Sequence, residues 1–366
     1  MSEVVFLDAP LLGEPEKRWL SQAVDDGFVS TAGPFVGEFE AKFARRLGCG
    51  SVAMLQSGTA ALQLALLESG VGPGDEVILP DLTFAATANA VEHVGAKVVL
   101  ADVDPDSWTL DPVSVASRIG PRTKAILPVH LYGVPADMTR LGELALEHGL
   151  SLVEDATEAL DARWNGEVVG TIGDFGAFSF NGNKAMTTGG GGALVGKDAS
   201  KVAHARFLAN QARDEKRGYF HPEIGFNYRM TNIEAALGLA QLEGLDRFQA
   251  TRREHAAMFR QELSSIPGLE FQQIPVQATS SFWMSAVLLP EGRDPETVRK
   301  ALLDRGVQSR RLFHPLSAMP PWEGRSPRSG SVSQRLFERG LCLPSSPRNT
   351  PEGIERACRA LREILA

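Results

Sequence analysis

The chain has 366 residues, 43% of them hydrophobic and 22% charged, which is ordinary for a folded protein able to bury a sizeable core. Its formal net charge of −8 argues against a nucleic-acid-binding surface, which needs clustered excess Lys and Arg. No apolar run approaches the length of a membrane span, and the seven histidines lack metal-ligand spacing, so we expect no membrane segment and no structural metal.

The cysteines predict the compartment. Cys49, Cys342 and Cys358 form neither a CxxC pair nor a disulfide framework. Residues 1–6 are too short and too acidic a stretch for an export signal. These features together favour a reducing cytoplasm as the location of the protein.

From about residue 50 to residue 196, short apolar runs alternate with helix-forming segments. Strands are predicted at 51–55, 76–80, 97–100, 125–129 and 151–154, and helices at 60–67, 85–94 and 138–148. Continuous Val, Ile and Leu runs separated by helices are typical of a mostly parallel sheet covered on both faces. We therefore predict a large α/β domain that spans residues 1–245.

The pattern changes after residue 196. Helices dominate to residue 263, and they include the run 232–245 and the charged stretch 247–262. Beyond them we predict a strand at 281–287, a helix at 295–305, a proline-rich connection at 314–321 and a final amphipathic helix at 352–365. These elements predict a smaller α+β domain that spans residues 246–366.

Lys184 and Asp155 carry the most specific chemical signal. Asp155 ends an apolar strand, and Lys184 lies between a second apolar strand and a run of glycines, which is an unusual setting for a surface lysine. A lysine amine can form a Schiff base with an aldehyde, and a carboxylate at a strand end can hold a protonated pyridine nitrogen. Pyridoxal phosphate (PLP) enzymes need both groups, so we predict that these residues are catalytic.

The segment Ser57-Gly58-Thr59 follows a strand and opens a helix. A helix start favours phosphate, and a glycine there lets backbone amides approach an anion. Ser179, at the end of another strand, can add a hydroxyl to the same phosphate. The alternative is that Ser57 or Thr59 is an ordinary helix cap.

Two further residues have alternative explanations. Phe84 follows the strand that ends at Pro80, where its ring can stack on a pyridine or can simply fill the core. Glu158 lies three residues after Asp155, so a helical turn would place both carboxylates on one side. It can bond to the hydroxyl of the cofactor ring, or it can cap the turn or face water.

Three blocks, in this order, are similar to the sugar aminotransferases of the DegT/DnrJ/EryC1/StrS family, a PLP fold type I group. They are Val153-Glu154-Asp155-Ala156-Thr157-Glu158-Ala159, the stretch 178–192 around Lys184, and Gly225-Phe226-Asn227-Tyr228-Arg229-Met230-Thr231-Asn232. The likeness extends from about residue 8 to the C-terminus. It implies an aspartate-aminotransferase-like α/β fold with a mostly parallel seven-stranded sheet and a smaller α+β C-terminal domain.

The resemblance also implies roles for individual residues. Lys184 would bind the PLP aldehyde, Asp155 would hold the pyridine nitrogen, and Glu158 would face the ring hydroxyl. The positions that match the family's phosphate contacts are Gly58, Thr59, Ser179 and, from a neighbouring subunit, Asn227. An asparagine shared in this way implies a homodimer with shared active sites.

A further block, Gln308-Ser309-Arg310-Arg311-Leu312-Phe313-His314-Pro315, resembles a family segment near the substrate. Arg310 and His314 would meet the sugar nucleotide or the amino donor, and a positive strand end at the surface is the alternative. Ser317 and Ala318 stand where perosamine-type sequences carry bulkier or polar residues, so the resemblance leaves the sugar open.

The implied activity is transfer of an amino group from L-glutamate to a nucleotide-linked 4-keto-6-deoxy sugar of the perosamine or 4-amino-sugar type, in deoxyamino sugar and glycan biosynthesis. Alternatives are amination of a 3-keto sugar or a cyclitol, or sugar dehydration by an enzyme of the same fold. A non-catalytic regulator that binds a sugar nucleotide is a further alternative, and the intact Lys184 weighs against it.

Overall fold

A computed structural model describes residues 4–327 and 330–366. The export-signal prediction falls partly on residues 1–3, which lie outside the described residues. The cysteines are unpaired, with Cys342 and Cys358 buried. Within the described residues, no helix combines the length and the apolar character needed to cross a membrane.

Helices and strands alternate through most of the described chain. The α-helices are α1 (Glu14–Asp25), α2 (Phe35–Leu47), α3 (Gly58–Glu68), α4 (Ala85–His93), α5 (Pro112–Ala116), α6 (Met138–His148), α7 (Ala199–Ala209), α8 (Asn232–Leu263), α9 (Pro295–Asp304), α10 (Val332–Arg339) and α11 (Pro351–Leu365). The strands are β1 (Val52–Leu55), β2 (Glu76–Pro80), β3 (Lys97–Ala101), β4 (Thr123–Ile126), β5 (Ser151–Asp155), β6 (Arg163–Trp164), β7 (Glu167–Val168), β8 (Phe175–Ser179), β9 (Gly192–Gly196), β10 (Glu270–Phe271), β11 (Ala278–Thr279), β12 (Ser285–Leu288), β13 (Arg310–Arg311) and β14 (Gly340–Leu343).

The large sheet has seven strands in the order β1-β9-β8-β5-β4-β2-β3. Its pairs from β8 through β5, β4 and β2 to β3 are parallel, and β9 is antiparallel to both of its neighbours. The strands are almost entirely buried, as expected for a sheet covered on both faces. The predicted mostly parallel seven-stranded sheet is therefore confirmed.

The N-terminal helices α1 and α2, which were not predicted from the sequence, pack against α8, and α2 also packs against β1. Phe39 and Phe43 of α2 are fully buried and contact Phe180, which follows β8. This aromatic cluster fixes the segment that leads from β8 to Lys184.

The C-terminal part contains an antiparallel sheet in the order β10-β12-β14-β13, packed against α9 and α11. The predicted strand at 281–287 begins later, at Ser285. The two predicted helical runs 232–245 and 247–262 form the single helix α8. The proposed domain boundary between residues 245 and 246 falls inside this helix, and the division of the chain there stays a prediction.

Candidate active site

A cavity of about 330 Å³ opens at the carboxyl ends of β1, β5 and β8, the edge where parallel sheets collect ligands. Residues from opposite ends of the chain line it, because β13 and the segment before β12 close over the large sheet. Among the residues predicted from the sequence, the cavity lining contains Gly58, Thr59, Phe84, Asp155, Glu158, Ser179, Lys184 and Arg310.

The amine of Lys184 lies inside this cavity. Its Nζ atom is 3.7 Å from Oε1 of Glu158 and 4.2 Å from the centre of the Trp283 ring. Burial lowers the pKa of Lys184, and the carboxylates of Glu158 and Asp155 oppose that shift. A lowered pKa makes the neutral, nucleophilic amine more available near neutral pH.

Asp155 presents a fixed carboxylate to the same cavity. Its Oδ2 accepts a hydrogen bond from Oγ1 of Thr87 at 2.8 Å, and its Oδ1 accepts one from the backbone N–H of Thr157 at 3.1 Å. The hydroxyl of Thr87 lies 3.1 Å from that of Thr83. These bonds orient the carboxylate and leave it able to pair with a cation in the cavity.

The neighbouring acid, Glu154, points the other way, because successive side chains of a strand face opposite sides of the sheet. Its Oε1 accepts bonds from the N–H groups of Ile172 at 2.7 Å and Gly173 at 2.6 Å, and its Oε2 accepts one from Gly170 at 2.7 Å. Glu154 therefore anchors a buried turn, and Asp155 is the acid available for chemistry.

Glu158 is buried, with only 3% of its side chain exposed, so the water-facing alternative is wrong. Its Oε2 accepts a hydrogen bond from the backbone N–H of Tyr132 at 2.9 Å. Tyr132 has a φ of 56°, an unfavourable backbone conformation for a bulky residue. Burial raises the pKa of Glu158, and the charge of Lys184 opposes that shift.

The start of α3 forms one wall of the cavity. Ser57 is the N-cap, and its Oγ accepts a hydrogen bond from the N–H of Ala60 at 3.1 Å. The next residue, Gly58, approaches the end of β8 so closely that a β-carbon there would lie 2.9 Å from Cβ of Ser179. Capping and anion binding are thus compatible here, since a helix start leaves several N–H groups without intrahelical partners.

Aromatic rings form the mouth of the cavity. Phe84 is 56% exposed, so it is not a core residue, and its ring centre lies 5.6 Å from that of Phe313. The guanidinium of Arg310 lies 5.6 Å from the ring centre of Trp283 and 5.5 Å from that of Phe313. Its Nη1 atom is 3.7 Å from Oδ2 of Asp8, so Arg310 is a cation at the cavity wall rather than a solvated strand end.

A protein-family profile described as the DegT/DnrJ/EryC1/StrS aminotransferase family matches residues 10–362. The chain belongs to this family. It is therefore an enzyme of the aminotransferase class, as the resemblance implied. PLP is the cofactor that membership implies.

Members of the family are similar to the chain over nearly its whole length. The GDP-perosamine synthase of Caulobacter vibrioides is 40% identical over 364 residues, which cover 99% of this chain and 98% of that protein. The GDP-perosamine synthase of Escherichia coli O157:H7 is 36% identical over 357 residues, 98% of this chain and 97% of that protein. The crystal structure of the aminotransferase TlmJ from Streptoalloteichus hindustanus is 33% identical, has a TM-score of 0.92, and covers 99% of this chain and 98% of that one.

Two residues predicted from the DegT/DnrJ/EryC1/StrS pattern do not line the cavity of the single chain. Asn227 is exposed and pairs through its backbone with Asn210. His314 is also exposed, and its ring centre lies 4.0 Å from that of Phe337. Their roles stay predictions, and that of Asn227 requires a second subunit.

Sequence reasoning missed several residues of this family site. Thr87 belongs to the segment that follows β2, and its position one helical turn after Thr83 was an available signal. Trp283 lines the cavity from just before β12, and Tyr132 contributes through its backbone. No local pattern indicates either contact, since both depend on packing between distant parts of the chain.

Proposed function

We propose that this aminotransferase binds PLP through Lys184 and moves an amino group from L-glutamate to a nucleotide-linked 4-keto-6-deoxy sugar. The observation that carries the proposal is the convergence of the Lys184 amine with the Asp155 and Glu158 carboxylates in one cavity beside the start of α3. The likeness to GDP-perosamine synthases supports the sugar class.

The residues of the cavity suit the cofactor. Asp155 would hold the protonated pyridine nitrogen, and Glu158 would accept a bond from the ring hydroxyl. The ring of Phe84 would stack on the pyridine. The phosphate would meet the corner at Gly58, Thr59 and Ser179, where the missing β-carbon of Gly58 leaves room for close approach.

When bound, PLP supplies an aldehyde carbon for amines and an electron sink for the carbanion that forms when the substrate loses a proton. Lys184 would then act as base and acid: its Nζ would accept the proton from the substrate carbon that bears the amino group and deliver it to the aldehyde-derived carbon of the cofactor. Its lowered pKa suits this exchange, because a base works best near the operating pH.

The carboxylates do different work. Hydrogen bonds from Thr87 and Thr157 hold the carboxylate of Asp155 in position, so it would stabilise a positive ring nitrogen without reorganisation. Glu158 lies beside Nζ and would attract the protonated form of Lys184. The ring of Trp283, under the same amine, would help to exclude water.

The substrate would enter past the aromatic mouth. Arg310 and His314 are proposed to contact the sugar nucleotide or the carboxylates of the amino donor. Guanosine diphosphate is the first nucleotide to test, because the relatives reported above carry it in their names. Amination at C4 is likewise proposed from the likeness to GDP-perosamine synthases.

The active site is proposed to be shared between two subunits of a homodimer. Asn227 is exposed and does not line the cavity of its own chain, which fits a contact made to the phosphate of a partner. Mixing Asn227→Ala and Lys184→Ala proteins tests this arrangement. Shared sites predict recovered activity in mixed dimers, and its absence would indicate that each site is built within one chain.

Lys184→Ala tests the central assignment. Borohydride treatment of the wild-type protein with PLP should bleach the visible absorption band and fix the cofactor on the peptide that contains Lys184, as read by mass spectrometry. The variant should lose transamination with glutamate and keep non-covalent PLP binding. Turnover that survives in the variant would refute the role of Lys184.

The substrate class needs a separate assay. Cofactor that has accepted the amino group from glutamate should transfer it to a GDP-linked 4-keto-6-deoxy sugar in preference to its dTDP and UDP counterparts. A preference for scyllo-inosose would instead assign the enzyme to cyclitol amination. Loss of a hydroxyl from the sugar, with no amine gained, would indicate dehydration.

A further inference from the structure

The turn that carries Lys184 is held by side chains from other parts of the chain. Nε1 of Trp283 donates to the carbonyl of Asn183 at 2.7 Å. The guanidinium of Arg252 donates to the next two carbonyls, through Nη2 to Lys184 at 3.5 Å and through Nη1 to Ala185 at 3.0 Å. Three consecutive carbonyl groups around the reactive amine are thus fixed by external donors.

Arg252 is an unusual donor, because it lies on α8 with only 2% of its surface exposed. Burial lowers its pKa to about 10, and the Asp8 carboxylate opposes that shift. A buried cation is costly unless its hydrogen bonds compensate for the lost water. Its bonds to the carbonyls of Lys184 and Ala185 offset part of this cost, although its buried Nε atom has no hydrogen-bond partner among the described residues.

We propose that Arg252 is a positioning residue that holds the Lys184 backbone so that the amine points between Asp155 and Glu158. This inference rests on the proposed function, since it concerns the reach of the same amine. Arg252 does not itself line the cavity, so it acts through Lys184.

Lys184 carries its amine at the end of a long side chain. The amine of Lys184 is separated from its backbone by four methylene groups, so a small rotation of the turn moves Nζ substantially. A displacement of ~1 Å at a reacting group can cost on the order of 10²-fold in rate. The bonds from Arg252 to the carbonyls of Lys184 and Ala185 restrict that rotation.

The position of Nζ also controls its protonation. Three charged groups affect the pKa of Lys184: Glu158, which lies just after β5, Asp155, which ends β5, and Arg310 of β13. If the turn relaxes, Nζ moves relative to all three, and the pH at which Lys184 loses its proton changes. That midpoint can be measured without the cofactor.

Arg252→Met removes the donors and keeps an unbranched buried side chain, and Arg252→Lys keeps the charge with a single donating group. Arg260→Met is the matched control: Arg260 lies on the same helix and donates through Nη2 to the backbone carbonyl of Gln272 at 2.7 Å, and neither residue lines the cavity. Thermal unfolding compares the stability of the three variants. Competitive acetylation of the cofactor-free proteins, read by mass spectrometry at each pH, reports the midpoint and reactivity of Lys184.

We expect Arg252→Met to shift the acetylation midpoint of Lys184 and to lower kcat about tenfold or more, with the KM of the keto sugar little changed, because binding is not altered. Arg252→Lys should recover part of both effects. The Arg260→Met control should leave both unchanged, whatever its effect on stability. If Arg252→Met does not fold, the midpoint and kcat of Arg252→Lys decide the matter.

A wild-type midpoint and kcat in a folded Arg252 variant would overturn the inference. Equal losses in the Arg252 and Arg260 variants would also overturn it, since they would indicate a general effect on stability. Failure of the proposed function is distinct: the wild-type protein itself would then not bind PLP at Lys184.

Discussion

Gly58 provides a quantitative test of the corner at Gly58, Thr59 and Ser179, where the cofactor phosphate is proposed to bind. A β-carbon at this position would lie 2.9 Å from Cβ of Ser179, 3.0 Å from Cγ2 of Thr157 and 3.3 Å from the carbonyl oxygen of Phe178. Carbon atoms pack best at about 3.5–4.0 Å, so Gly58→Ala must push the start of α3 away from the end of β8. The displaced segment is the one proposed to bind the cofactor phosphate.

The expected loss of stability is modest. Overpacking of this kind costs about 1–3 kcal/mol. With an unfolding entropy of about 2.1 cal/mol/K per residue over 366 residues, the Tm should fall by about 1–4 °C. The loss of PLP binding should exceed the loss of stability, because the phosphate loses the close approach of the start of α3.

Gly142→Ala is the control for Gly58→Ala. Gly142 lies inside α6, and a β-carbon there would have no atom within 4 Å. The change should therefore stabilise the helix by up to about 1 kcal/mol and leave PLP binding unaltered. Thermal unfolding of the cofactor-free proteins and titration with PLP measure both effects. Equal Tm and equal PLP affinity for the two variants would refute the close contact between α3 and β8.

Two further predictions concern titratable groups. The carboxylate of Glu158 raises the pKa of Lys184 against the effect of burial, so Glu158→Gln should lower it further, and the acetylation midpoint of Lys184 in cofactor-free protein should move to lower pH; an unchanged or higher midpoint would contradict this. Burial, reinforced by Arg252, lowers the pKa of His255 from 6.5 to about 4. Because the unfolded chain binds that proton first, stability is lost as the pH falls through this window, by up to about 3 kcal/mol. Urea unfolding at pH 7 and pH 4.5 should show a smaller loss for His255→Leu than for the wild type, and equal losses would contradict the assignment.

Local signals were sufficient for some elements. The strand Glu76–Pro80 and the helix Met138–His148 have the bounds predicted from the sequence. The helix is delimited by Asp137, whose side chain accepts a bond from the N–H of Arg140, and by Gly149 in the left-handed conformation at a φ of 62°. Such caps act over a few residues and can be recognised in sequence.

Other features depend on distant partners and escaped prediction. The direction of β9 follows from its pairing with β1, more than 130 residues earlier, and the sequence of β9 does not reveal it. The stretch 247–262 was predicted only as a charged helical segment, yet Arg252 within it is buried against the Lys184 turn. A charge pattern cannot indicate which of its members will be enclosed.

The predicted site residues other than Asn227 and His314 meet in one cavity, because the central strands of the sheet are parallel and the carboxyl ends of parallel strands share one edge. The alternation of side chains along a strand separates the roles of the adjacent acids Glu154 and Asp155. Glu154 lies on one face of β5, where its oxygens accept hydrogen bonds from backbone N–H groups. Asp155 lies on the other face, where it accepts a hydrogen bond from Thr87 and faces the cavity. A one-residue slip of β5 would exchange these faces and place the anchoring acid beside Lys184. Bonds from Gly170, Ile172 and Gly173 to Glu154 thus fix the register that presents Asp155 to the cavity, so the buried acid next to Asp155 helps to form the site.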